Sequence, residues 1–151
     1  MKKLFLFTLV IVSCASPGGK EIIVGNWYHC KDGMYEEIYI DEEYYGVLVN
    51  YFEGYDYGRY EVRGDTLFIN TPDSGNEPYT EWELLKVVSQ DHLQITDNAD
   101  NDPTKVTDYH RITEKPEVVA VSALKDSGKL EALKKEFNTR AKSKCEDKEP
   151  S

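Results

Sequence analysis

Between residues 22 and 113 apolar and polar positions alternate in short runs. Ile38 and Ile40 point one way while Glu37, Tyr39 and Asp41 point the other. Tyr60 and Val62 oppose Arg59, Glu61 and Arg63; Leu67 and Ile69 flank Phe68, and Leu93 and Ile95 flank Gln94. A period of two predicts strands with one buried face and one wet face, as in an antiparallel sheet. Eight such runs, rich in Tyr, Val, Ile and Thr, cover residues 22–31, 35–41, 43–52, 56–63, 66–71, 79–88, 92–96 and 105–113. Lys31-Asp32-Gly33 and Arg63-Gly64-Asp65 between them are tight-turn chemistry. Val47-Leu48-Val49 is apolar on both faces, which predicts a cover over part of that strand.

Consecutive short strands with short links predict an all-β fold, an eight-stranded antiparallel up-and-down barrel, because closure removes the exposed edges. A two-sheet sandwich is the alternative, but it needs a Greek-key crossover that no single loop supplies. After Lys115-Pro116 the period changes. Leu130, Leu133, Phe137 and Ala141 share one face of a C-terminal α-helix, with Asp126 or Ser127 as its cap. That stripe is thin, which predicts a weakly docked or fraying helix, followed by a disordered tail from Glu146.

The N-terminal end changes the picture of location. Lys2 and Lys3 precede an apolar stretch, Leu4 to Val12, that is too short to cross a bilayer. It runs into Ile11-Val12-Ser13-Cys14, which resembles a bacterial lipobox. The resemblance implies cleavage before Cys14 and attachment of acyl chains such as palmitate to it, each buried methylene adding ~0.8 kcal/mol of membrane affinity. The expected organisation is a signal peptide over 1–13, a lipidated tether over 14–21, the barrel over 22–114, and the helix with its tail over 115–151. Ala15, in place of an aspartate after the cysteine, points to the outer membrane of a Gram-negative cell envelope.

Loss of Lys2 and Lys3 takes the formal charge from −10 to about −12. Phosphate backbones would be repelled, so nucleic acid is excluded as a partner. Cys30 and Cys145 remain in an exported, oxidising setting, where a disulfide between them ties the C-terminal segment to the first strand.

Gly25-Asn26-Trp27 on the first strand, eight strands, Arg111 at the end of the last one and a following helix together resemble the lipocalin-like (calycin) family. In that family a Gly-x-Trp opens the first strand and an arginine near the last strand packs across the tryptophan. The resemblance implies that Gly25, Trp27 and Arg111 close one end of the barrel, and that the other end is open to a small ligand. This barrel is shorter than those of the family's longer members. Thr107-Asp108-Tyr109 is similar to another signature of the family but lies on the wrong strand.

Catalytic chemistry is not apparent. His29, His92 and His110 show no paired ligand spacing along the chain, so no metal site and no cofactor are expected. Asn98, Asp100 and Asp102 begin like a calcium loop, but Pro103 and Tyr109 stand where glycine and glutamate are required. No nucleophile elbow or phosphate loop is present, and the chain is read as non-enzymatic. The unusual feature is the set of eleven tyrosines. Tyr45, Tyr51, Tyr57 and Tyr60, with Trp82 facing the interior beside Thr80 and Leu84, are the expected ligand-binding residues at the open end. The expected function is binding of a small apolar or amphipathic ligand or an envelope component. The alternative is an acidic protein that docks a cationic partner protein, such as an enzyme it inhibits.

Overall fold

The computed structural model describes residues 23–51, 55–70, 81–97, 105–115 and 117–146, with the backbone alone for residues 81–83, 97 and 146. The signal segment, Cys14, the tether, Thr80, the calcium-like stretch 98–103 and the last five residues lie outside the described residues.

Eight strands follow in chain order: β1 (Gly25–Lys31), β2 (Met34–Ile40), β3 (Tyr44–Val49), β4 (Asp56–Arg63), β5 (Thr66–Asn70), β6 (Glu81–Ser89), β7 (His92–Asp97) and β8 (Val106–Arg111). Each pairs antiparallel with the next, and β1 returns to β8, so the sheet is a closed barrel and not a sandwich. The alternation places each strand to within about three residues. The tight turns form where glycine allows positive φ: Gly33 stands at 80° and Gly64 at 66°.

Ile38, Ile40, Leu67, Ile69, Leu93 and Ile95 fill the inside together with Trp27, Tyr45, Tyr60 and Tyr109. A fully buried side chain of this size stabilises by ~1.5–3 kcal/mol, so this filling holds the barrel shut.

The outer face of β2 departs from the expected wet face. Tyr35, Glu37 and Tyr39 are all fully buried. They are covered by a 3-10 turn (Val121–Lys125) and by α1 (Ser127–Ala141), whose Leu133, Phe137 and Ala141 pack with Val121, Leu124 and Leu48. Leu48 is the residue whose two-sided apolar run predicted a cover. Asp126 caps α1, its carboxylate accepting from the Gly128 N–H at 2.9 Å.

Despite its thin stripe, α1 is docked at two further points. Arg140 forms a bidentate pair with Glu37 (2.6 and 2.8 Å), and Cys145, in a π-helical extension (Lys142–Glu146), is disulfide-bonded to Cys30 on β1. The bridge closes a span of 115 residues, a length for which loop-closure entropy gives roughly 5 kcal/mol.

Candidate functional site

At one end of the barrel all three residues of Gly25-Asn26-Trp27 have a structural task. Trp27 is fully buried and pairs in register with Arg111. The Arg111 guanidinium carbon lies 4.1 Å from the centre of the indole ring, while its Nε donates to the Gln90 carbonyl (2.8 Å) and Nη1 to that of Val24 (3.2 Å). The indole N–H donates to the Ile23 carbonyl at 2.9 Å. Gly25 has φ +155°, and a methyl group there would overlap Arg111 Nη1, so the arginine can cross only over a glycine. Asn26 was not singled out in sequence. Its amide donates to the Lys115 and Glu117 carbonyls (2.9 and 2.7 Å) and accepts from the Val119 N–H (3.0 Å), fastening the segment that leaves β8.

The expected ligand-binding aromatics are not gathered in one place. Tyr45 and Tyr60 are part of the packed interior, at 7% and 5% exposure. Burial, with the charges of Asp41 and Glu42 next, pushes the Tyr60 phenol up to about 12. Tyr57 sits on the outer face, stacked on Tyr55 at 5.7 Å, with Lys125 over its ring. Tyr51 is 75% exposed. Trp82 pairs in register with Phe68, and its side chain lies outside the described residues. On β6 the core position is Leu85 and not Leu84. One hairpin carries Tyr45, Tyr57 and Tyr60, but alternation divides them between the two faces of the wall.

A cleft opens instead in the barrel wall. The β1–β8 ladder has two register pairs, Trp27 with Arg111 and Tyr28 with His110, and a last bond from the Ile112 N–H to the Asn26 carbonyl (2.9 Å). Beyond Tyr28 the strands part, and a cleft of about 710 Å³ lies between them. Tyr28, Lys31, Val106 and His110 line it, with Lys144 and the Cys30 end of the disulfide. His29 bridges the gap, its Nδ1–H donating to the Asp108 carbonyl at 2.9 Å. The volume is within the ~300–1,000 Å³ of small-molecule sites.

Behind His29 the barrel interior turns polar. Glu36 pairs with His29 in register and accepts from the Tyr109 hydroxyl at 2.6 Å, while the His29 and Tyr109 rings lie 5.6 Å apart. Burial raises the Glu36 carboxyl above its ordinary 4.5, against the lowering effects of the Tyr109 bond and the His29 charge. A carboxyl raised by folding favours the folded state while protonated, and that contribution is lost as pH rises through its folded value. Glu36→Gln, which keeps an acceptor for Tyr109, is therefore expected to raise the melting temperature at about pH 7, with the gain vanishing below about pH 4. Melting curves across that range check it; a gain that persists at low pH defeats the assignment.

Two of the three histidines, His92 and His110, meet in space. His92 Nε2–H donates to Asp108 Oδ1 at 2.7 Å, beside the Gln94 amide at 2.9 Å, and the His92 and His110 rings stack at 5.0 Å. Gln94 first and then His92 hold the Asp108 carboxyl below the ordinary aspartate range. Among the described residues no group of three or more His, Cys, Asp or Glu side chains could hold a metal ion. The signal for this cluster was hairpin register: folding the run at 92–96 onto that at 105–113 sets His92 opposite His110.

The closed eight-stranded barrel with a C-terminal helix is consistent with a lipocalin-like (calycin) fold. No protein-family model, curated protein or solved structure matches the chain.

Proposed function

We propose that this protein is an envelope lipoprotein, held to the outer membrane through acylated Cys14, that binds a small amphipathic molecule without catalysis. The lipobox-like stretch supports the anchor and the location. The observation that carries the binding reading is the cleft of about 710 Å³ in the wall of an otherwise packed barrel. Its Tyr28 ring, Val106 and disulfide offer apolar contact, and Lys31, His110 and Lys144 offer polar contact on the same lining. The aromatics Tyr45 and Tyr60 then act as packing that stiffens the wall.

Native mass spectrometry of gently purified full chain tests this. A co-purifying small mass is expected, and Val106→Arg, which introduces a bulky charge into the cleft, is expected to remove it. A mass retained in Val106→Arg, or none on the parent chain, counts against the cleft.

A second reading is docking of a cationic protein. It is favoured by the filled interior, where Tyr45, Tyr60 and Tyr109 occupy the space a carried ligand needs, and by the formal charge of −10. In the same experiment a bound basic protein in place of a small mass selects it.

A further inference from the structure

The cleft has a backbone lining as well as a side-chain one. The Ile112 N–H bonds the Asn26 carbonyl, and steps of two along the strands place the next bonding positions at Tyr28 with His110 and then at Cys30 with Asp108. Register pairing stops at Tyr28 and His110, so the bonds due at Cys30 and Asp108 have no facing strand. Each strand stays paired on its other side, β1 with β2 as far as Lys31 and Met34, and β8 with β7 as far as Val106 and Thr96. Cys30 on β1, and Asp108 and Val106 on β8, therefore turn a short row of backbone groups toward the cleft. One of them is met by a substitute: the Asp108 carbonyl accepts from the His29 Nδ1–H at 2.9 Å, a side chain in the place of a strand. An open strand edge is a template for any extended chain that reaches it.

With the cleft as the ligand site, on which this rests, we propose that its occupant is a short acidic peptide, added in extended form along the free edge of β8. In this mode main-chain hydrogen bonds give the affinity and alternate side chains the specificity. A peptide N–H takes the Asp108 carbonyl, and His29 releases it. A fatty amphiphile would cover Val106 and the Tyr28 ring but bury the edge groups without partners, which is costly for each donor and acceptor. A peptide covers the same side chains and pairs the edge. Val106 and Tyr28 favour apolar residues at alternate positions of the occupant. The charge preference comes from Lys31. It lines the cleft and has no ion partner among the described residues, whereas Lys144 is already 2.8 Å from Glu114. The Asp108 carboxylate is engaged by His92 and Gln94, at 2.7 and 2.9 Å. Lys31 is thus the cation left for a carboxylate of the occupant.

The test is an NMR titration of the full chain with the peptide acetyl-Val-Glu-Val-Glu-Val-amide. The amides of Cys30 and Asp108 and the His29 ring are expected to shift, with a dissociation constant below about 1 mM. The same peptide N-methylated at alternate positions, made in both phases, keeps its side chains but loses the donors along one edge. At least one phase is expected to bind about tenfold more weakly. Gln in place of both Glu is expected to weaken binding about threefold, and Lys31→Gln to remove that difference. Decanoate, an amphiphile without a peptide backbone, is titrated alongside. Decanoate moving the cleft resonances where the peptide does not, or both N-methylated peptides binding as tightly as the parent, overturns the proposal and leaves the cleft as a ligand site. Peptide shifts confined to residues outside the cleft overturn it as well. Neither probe moving a cleft resonance at about 5 mM defeats the peptide and the cleft together.

Discussion

Arg140→Met is expected to destabilise the fold by roughly 3–5 kcal/mol, the usual cost of stranding one member of a buried ion pair. Glu37 is 0% exposed and on the outer face of β2, and its carboxylate accepts four hydrogen bonds. Two come from Arg140 Nε and Nη2 at 2.6 and 2.8 Å, one from the Tyr35 hydroxyl at 2.6 Å and one from the Tyr39 hydroxyl. Burial alone pulls Arg140 down, and the hydrogen bond and charge of Glu37 reverse that and raise it. Burial, with the Glu37 charge next, pushes both phenols above the ordinary tyrosine range, so they stay protonated and keep donating. With methionine at 140 the apolar bulk is nearly kept, but a carboxylate is left under α1 with only two neutral donors. Thermal melting should fall by on the order of 10 °C. Glu37→Gln added to Arg140→Met removes the stranded charge and should recover a large part of the loss. A single-variant cost below about 1 kcal/mol, in the range of exposed pairs, would mean that this network does not hold the helix.

Glu37 also shows how far the chain could be read in advance. Strand positions and the inward set of β2 were legible because Ile38 and Ile40 alternate with polar neighbours, and the barrel followed from eight runs without a crossover. The same alternation gave the outer face of β2 to water, and that was wrong. Whether an outward glutamate is wet depends on what covers it. The cover is Arg140, 103 residues further along, on a helix whose apolar stripe alone did not justify firm docking. Leu48 carried the one local hint, since an apolar outward residue on β3 requires a lid. The site was less legible than the fold. Tyr45 and Tyr57 lie on the two strands of one hairpin but on opposite faces of the wall, and composition alone cannot separate them. No spacing along the chain announces the pairing of His92 with His110, which cross-strand register produces. Asn26 occupies the unspecified place in Gly-x-Trp, and its partners are backbone carbonyls, which no side-chain pattern announces.

Trp27→Ala is expected to cost roughly 3–5 kcal/mol and to loosen the barrel first at one seam. The seam between β1 and β8 is the weakest ladder by construction, with two register pairs where β1 and β2 share seven. Side chains make up the difference. The indole is fully buried, anchors Ile23 through its N–H, and supports the Arg111 guanidinium at 4.1 Å. That guanidinium in turn ties the carbonyls of Val24 and Gln90, on the two sides of the seam. Removing the ring therefore takes away core volume and the platform of the arginine together. Arg111→Leu alone should cost less, about 1–2 kcal/mol, because it is part-exposed and the core stays filled. If the two act as one clasp, their double variant is cheaper than the sum by about 0.5–2 kcal/mol. The local readout is amide exchange at Ile112, whose N–H bonds the Asn26 carbonyl across the seam. In Trp27→Ala it should exchange faster than the amides within the β2–β3 ladder, by more than global destabilisation explains. Costs that add to within about 0.3 kcal/mol, with Ile112 exchanging in step with the rest of the sheet, would mean that the ladder closes the barrel without help from the stacked pair.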